Sequence, residues 1–140
     1  MDEMSAALGM AQLGRIEELL EKRRRVARMY TQRLGDLGGL ATPYATATTT
    51  RRSWFVYVIR LVPEIDRKRV MAALEERGVP SRPYFTPIHQ QPFYRERFGY
   101  QEGSFPITEA VARSTLALPF SSVMTEEQVD HVCEALKAVV

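Results

Sequence analysis

The chain has 140 residues, 45% of them hydrophobic and 26% charged, the balance of one soluble globular domain with a core of its own. A net charge of +2 is too small to point to nucleic acid, and no apolar run approaches the roughly 20 residues that cross a bilayer. The single cysteine, Cys133, excludes an internal disulfide. The acidic start Met1-Asp2-Glu3-Met4 is unlike a signal peptide, so the cytoplasm is the expected compartment.

The first predicted element is one long helix over about residues 3–35. Met4, Ala7, Leu8, Ala11, Ile16, Leu19, Leu20, Ala27, Tyr30, Leu34 and Leu37 recur at spacings of three and four and draw an apolar stripe. At 1.5 Å per residue such a helix is about 45–50 Å long, more than a domain of this size can cover. Part of its stripe is therefore expected to pack against another domain or a second copy. Arg23, Arg24 and Arg25 follow Glu17, Glu18 and Glu21, so Glu18–Lys22 and Glu21–Arg25 fall four apart, as on a solvated helix face.

Gly35, Gly38 and Gly39 end this helix, and a Thr/Ala-rich connector follows over 41–52. Ser53 to Val62 is β-branched, aromatic and nearly all apolar, which predicts a strand stopped by Pro63. Asp66 caps a predicted helix over Arg67–Arg77, closed by Gly78. Val79–Phe85 holds Pro80 and Pro83 and reads as an edge strand. Residues 86–105, dense in proline and aromatics, predict an ordered loop with a short helix near 92–98. A helix near 107–114 leads into a strand over Thr115–Leu118. Thr125-Glu126-Glu127-Gln128 then opens the last helix with a capping box, and Val129, Val132, Cys133, Leu136, Val139 and Val140 form its apolar face. This order predicts an α+β fold: a long N-terminal helix leading into a small, mostly antiparallel sheet with helices packed on one face.

No phosphate loop, metal-ligand spacing or nucleophile elbow is present. His131, on the last helix, has no partner in its pattern and reads as structural. His89 lies in Tyr84-Phe85-Thr86-Pro87-Ile88-His89-Gln90-Gln91-Pro92-Phe93-Tyr94, where prolines stiffen the backbone and aromatics can wall a site. It fits either a ligand-binding loop or a loop packed by its own aromatics, with His89 capping a backbone carbonyl. A covalently held aldehyde cofactor would need a desolvated or charge-activated lysine. Lys22, Lys68 and Lys137 all fall in solvated helix contexts, so no Schiff-base lysine is expected.

Several collinear segments resemble the DegT/StrS family of sugar aminotransferases: the start Met1–Leu13, Arg23-Arg24-Arg25 with Tyr30, Ser53-Trp54-Phe55-Val56-Tyr57 and Glu76-Arg77-Gly78-Val79. They continue through Tyr84–His89, Pro92-Phe93-Tyr94, Phe105-Pro106-Ile107-Thr108-Glu109, Leu116–Pro119 and Met124–Val129, covering essentially the whole chain. The resemblance implies a fold type I, pyridoxal-phosphate-dependent enzyme. It would work as a homodimer with its active site at the subunit boundary. It would move an amino group, usually from glutamate, onto a nucleotide-linked keto sugar of polysaccharide or antibiotic biosynthesis. It also implies that the cofactor's lysine, stacking residue and carboxylate belong to a large N-terminal domain, expected to be missing here together with an Asn-aromatic-Arg motif just before Met1.

On that reading residues 1–38 form a linking and dimer helix and 39–140 the C-terminal small domain. His89 is the substrate-binding residue by resemblance, with Tyr84, Gln91 and Tyr94 as neighbours. No catalytic, cofactor-binding or metal-binding residue is expected in this chain, and no pyridoxal phosphate is expected to bind it alone. A non-catalytic interaction module or degenerate remnant of the family is the alternative. Trp54 matches the family's Ser-Trp pair and is expected to pack rather than bind.

Overall fold

The computed structural model describes residues 2–140; Met1, the first residue of the family-like start, lies outside the described residues. The N-terminal helical stretch is present over its predicted length but divided in two. Helix α1 runs Glu3–Leu13 and α2 runs Ile16–Leu34. At the break the Gly14 N–H still reaches Met10, but Arg15 N–H shortens to Gln12 and Arg15 leaves helical geometry. Gly14, a weak helix former, stands at this point. Asp2 caps α1 through its side chain, accepting from the Ser5 N–H at 2.8 Å.

The two halves of the predicted stripe meet different fates. On α2, Val26, Ala27, Met29, Tyr30 and Leu34 are buried. On α1 no residue is buried, and Met4, Leu8, Met10 and Leu13 are largely exposed. The predicted stripe thus covers the core only from α2 onward.

Four strands form one antiparallel sheet in the order β1 (Leu40–Ala41), β2 (Tyr57–Leu61), β4 (Thr115–Leu118), β3 (Arg82–Pro83). Tyr57 pairs with Leu118 and Ile59 with Leu116, which sets the large buried side chains of both central strands on one face. Helices α2, α3 (Arg67–Glu76) and α6 (Glu126–Lys137) supply the rest of that core through Tyr30, Leu34, Val70, Leu74, Val129 and Leu136. Each fully buried Val, Leu or Ile stabilises the fold by roughly 1.5–3 kcal/mol. Arg33 on α2 forms ion pairs with Glu126 and Asp130 on α6.

The capping signals act as the sequence predicts. Asp66 accepts from Lys68 N–H at 2.8 Å, and Thr125 and Gln128 complete a reciprocal capping box. Gly39, at φ +84°, lets the chain pass close to the end of the fold. A Cβ there would stand 2.7 Å from Ile65 and 2.8 Å from Val140.

Two strands are shorter than predicted. The Ser53–Val62 run forms a strand only over Tyr57–Leu61, because Trp54 sits at φ +51° and breaks extended geometry. Trp54 packs, as expected, stacking on Tyr57 with ring centres 5.7 Å apart under the Arg52 guanidinium. The Val79–Phe85 strand is reduced to Arg82–Pro83 and lies at the sheet edge, where a strand proline is tolerated.

Candidate functional site

The loop after β3 begins with a 3₁₀ turn, Ile88–Gln90, followed by the short helix α4, Pro92–Phe98, and then α5, Pro106–Ser114, which runs straight into β4. Pro92 and Pro106 both start their helices, where a missing N–H costs nothing. Gly99, left-handed at φ +69°, ends α4.

His89 is buried in this turn, with its Nε2 atom 2.9 Å from Oε1 of Glu109 on α5. Glu109 is itself 3% exposed, yet its carboxylate is fully engaged. The Gly103 N–H donates to both oxygens at 2.9 and 3.0 Å, and the Phe105 N–H donates to Oε1 at 3.3 Å. Gly103 reaches this position at φ +88°, a conformation that favours glycine. The Gly103 amide and then His89 hold the Glu109 carboxyl below the usual carboxylate range. His89 therefore pairs with a carboxylate, not with the backbone carbonyl that a purely self-packed loop would offer.

The imidazole is framed by rings. Phe105 lies 4.8 Å from it, and Tyr100 meets it edge-on at 6.3 Å. Tyr94 and Phe98 continue the wall, stacked 5.9 Å apart. With Ile88 and Thr108 these residues enclose an open, mainly apolar cavity of about 440 Å³. On the other side of the pair, Glu109 borders a smaller cavity of about 250 Å³ that also holds Arg67, Glu102 and Arg113. The His89–Glu109 pair is thus the partition between an aromatic and a charged recess.

Of the four predicted site residues, the structure brings His89 and Tyr94 together at the aromatic cavity. Tyr84 and Gln91 do not line it. Tyr84 stacks on Phe85, and its carbonyl accepts from Thr115 Oγ1 at 2.8 Å. Gln91 is exposed at the head of α4, its carbonyl accepting from the Tyr94 and Arg95 N–H groups. Sequence reasoning gave no role to Glu109, Phe98, Tyr100, Phe105 or Thr108. The one local signal for Glu109 is an acidic residue in the first turn of a proline-started helix.

His131 is exposed and its Nε2 lies 3.1 Å from the Arg77 carbonyl, a structural contact. The residues present do not fit a covalently held aldehyde cofactor. Lys22, Lys68 and Lys137 are exposed on helices, Lys22 is paired with Glu18, and none borders either recess. Among the described residues there is no cluster of three or more His, Cys, Asp or Glu able to hold a metal, and no helix long and apolar enough to cross a membrane.

The fold of a helix pair leading into a small antiparallel sheet is also that of part of solved sugar aminotransferase structures. The Streptococcus pneumoniae protein Spr1654 in its PLP form matches 99% of this chain with a TM-score of 0.89, over 36% of its own length. At 23% identity that likeness shows the fold alone. Sequence relatives go further. SpsC of Bacillus subtilis, a spore coat polysaccharide biosynthesis protein, is 31% identical over 100% of this chain and 37% of its own length. GDP-perosamine synthase of Caulobacter vibrioides is 36% identical over 99% of this chain and 37% of its own. The model of the DegT/DnrJ/EryC1/StrS aminotransferase family matches residues 1–137, and the chain belongs to that family. It spans a little over a third of the length of these relatives.

Proposed function

We propose that this chain is the C-terminal, substrate-side and dimer-forming portion of a pyridoxal-phosphate-dependent aminotransferase that delivers an amino group to a nucleotide-linked keto sugar. The observation that carries this reading is the family match along 1–137 combined with a built recess, the His89 cavity, on the loop that the family resemblance assigns to substrate. The cofactor, when bound, supplies the electron sink for amino transfer. Its attachment is assigned to protein outside these 140 residues, since the three lysines here are solvated.

His89 then binds and orients rather than abstracts a proton. It presents one polar atom within an aromatic wall, the usual make-up of a site that fixes a ligand's orientation. Tyr94 flanks it at the cavity, while Tyr84 and Gln91, on the same loop but outside this cavity, remain substrate-side residues only by the family resemblance. The exposed apolar side chains of α1, Met4, Leu8, Met10 and Leu13, supply a contact face for the partner domain or a second copy. That same face favours the second reading, a non-catalytic interaction module of the family.

A chimera tests the choice. Residues 1–140 replace the matching stretch of Caulobacter GDP-perosamine synthase, and amino transfer is followed with and without His89→Ala. The substrate reading expects transfer by the chimera and a KM raised about tenfold or more by the variant, the worth of one lost hydrogen bond to a polar ligand group. A folded, PLP-loaded chimera whose KM ignores the substitution removes His89 from the site. A folded chimera that does not transfer at all favours the interaction module.

A further inference from the structure

The wiring of Glu109 has a consequence for which atom of His89 can meet a ligand. The Glu109 carboxylate receives N–H groups from Gly103 on both oxygens and from Phe105 on one. These N–H donors favour the charged form and, with the Gly103 amide foremost, hold the carboxyl below its usual range, so near neutral pH the group is an anion and can only accept. The remaining neighbour of Oε1, His89 Nε2 at 2.9 Å, must then be the donor. The ring makes no other hydrogen bond among the described residues, and His89 borders the aromatic cavity.

We infer that Glu109 is a positioning residue that locks His89 as the Nε2–H tautomer, leaving Nδ1 as a hydrogen-bond acceptor for a ligand hydroxyl at the aromatic cavity. The cavity's make-up agrees with that ligand class. Its walls are Tyr94, Phe98, Tyr100 and Phe105, and it holds no lysine or arginine to attract a phosphate. A carbohydrate ring, apolar on one face and carrying hydroxyls at its edge, satisfies both features at once. The nearest cationic recess lies across the Glu109 partition, with Arg67 and Arg113. That recess, rather than the lining of the His89 side, carries the cationic groups suited to a charged part of a ligand. Glu109 touches no ligand in this scheme; it acts by deciding which nitrogen is a donor.

This inference rests on the substrate reading for its ligand class, but its core is measurable without any ligand. Long-range ¹H–¹⁵N correlation on the ¹⁵N-labelled chain at pH 8 distinguishes protonated from unprotonated ring nitrogens, and a His131→Gln variant assigns the two histidines. The expected spectrum for His89 is a protonated Nε2 and a bare Nδ1. Glu109→Gln places an amide beside the ring that can donate, and is expected to shift the proton toward Nδ1. A wild-type ring carrying its proton on Nδ1, a ring protonated on both nitrogens at pH 8, or a Glu109→Gln variant that leaves the tautomer unchanged would each overturn the inference. The wild-type spectrum decides the matter even if the variant does not fold. A correct tautomer in a chimera indifferent to His89→Ala would sustain the inference about Glu109 and sink the substrate reading instead.

Discussion

The chain carries two aromatic clusters of similar make-up and opposite character. The first is Tyr30, Trp54, Tyr57 and Phe120, centred on Tyr57, with Tyr30 stacked at 4.8 Å. Its members come from α2, the residues just before β2, β2 itself and the segment after β4. Tyr30 and Tyr57 are fully buried, and both hydroxyls are satisfied, by the Pro119 carbonyl at 2.7 Å and by Thr31 Oγ1 at 2.8 Å. The second is Tyr94, Phe98, Tyr100 and Phe105 around His89, all drawn from a single stretch of chain. Phe98 remains 54% exposed and Phe105 43%. A cluster assembled across the sheet closes the fold. One assembled along a loop buries little and leaves ring faces free for something else. The chemistry of the side chains does not separate the two; the sequence distance between them does.

The sharpest way to break this comparison is to truncate the centre of the first cluster. Tyr57→Ala removes a fully buried ring from between α2 and the sheet, and large-to-small core changes of this kind cost about 3–5 kcal/mol. Denaturant unfolding followed by the fluorescence of the lone Trp54, which stacks on Tyr57, reads the loss directly. A cost below about 1 kcal/mol, the range of ordinary surface changes, would erase the distinction between core and loop aromatics.

Acid and alkali sharpen the comparison in opposite directions. Burial pushes the Cys133 thiol up to about 11, and raises the Tyr57 phenol as well. A group whose folded value lies above its unfolded one stabilises fully below the unfolded value, about 8.5 for a thiol, and loses that contribution as pH rises through the folded one. The core that packs Cys133 with Tyr57 is therefore expected to weaken from about pH 8.5 upward. Glu109 is shifted the other way, chiefly by the Gly103 amide. Its contribution is present above the unfolded value, about 4.3 for a glutamate, and is lost as pH falls through the depressed folded one. Amide exchange supplies the check. The Gly103 and Phe105 N–H groups should lose protection in acid while Trp54 fluorescence still reports an intact core. Simultaneous loss at both places would make the two clusters one cooperative unit.

How much of this was legible in the sequence follows from the same contrast of near and far. Local signals were readable: the Asp66 cap, the Thr125–Gln128 box, and the apolar faces of α2 and α6 depend on neighbours within one turn. The division of the first helix at Gly14–Arg15 is only half legible, since a glycine there weakens the helix but does not show that the ladder breaks. The strand shortening at Trp54 was not, because a β-favouring sequence was overridden by packing that turns the tryptophan onto Tyr57. At the site, His89 stood out through its prolines and rings. Glu109, 20 residues away, gave no sign of being its partner, because the pairing depends on α5 folding back over the 3₁₀ turn. Tyr84 and Gln91 stand within five residues of His89 in sequence, yet neither lines the cavity that His89 borders.

The smallest expected effect is the most telling one. Phe98→Ala trims a ring that is more than half exposed, beside Tyr94 and Tyr100. Little apolar area leaves the protein with it, so stability should fall by no more than about 1 kcal/mol and the unfolding midpoint should barely move. Yet Phe98 is part of the wall facing His89. If the recess binds substrate as proposed, the same substitution in the chimera with GDP-perosamine synthase should raise KM while leaving kcat near its starting value, since it would remove a binding contact and not one to the reacting atoms. A Phe98→Ala variant as destabilised as Tyr57→Ala would show that the loop aromatics serve the fold after all. One that is stable and kinetically silent would place the ligand away from this recess. Only the pairing of an intact midpoint with a raised KM distinguishes aromatics kept for binding from aromatics that merely remain outside the core.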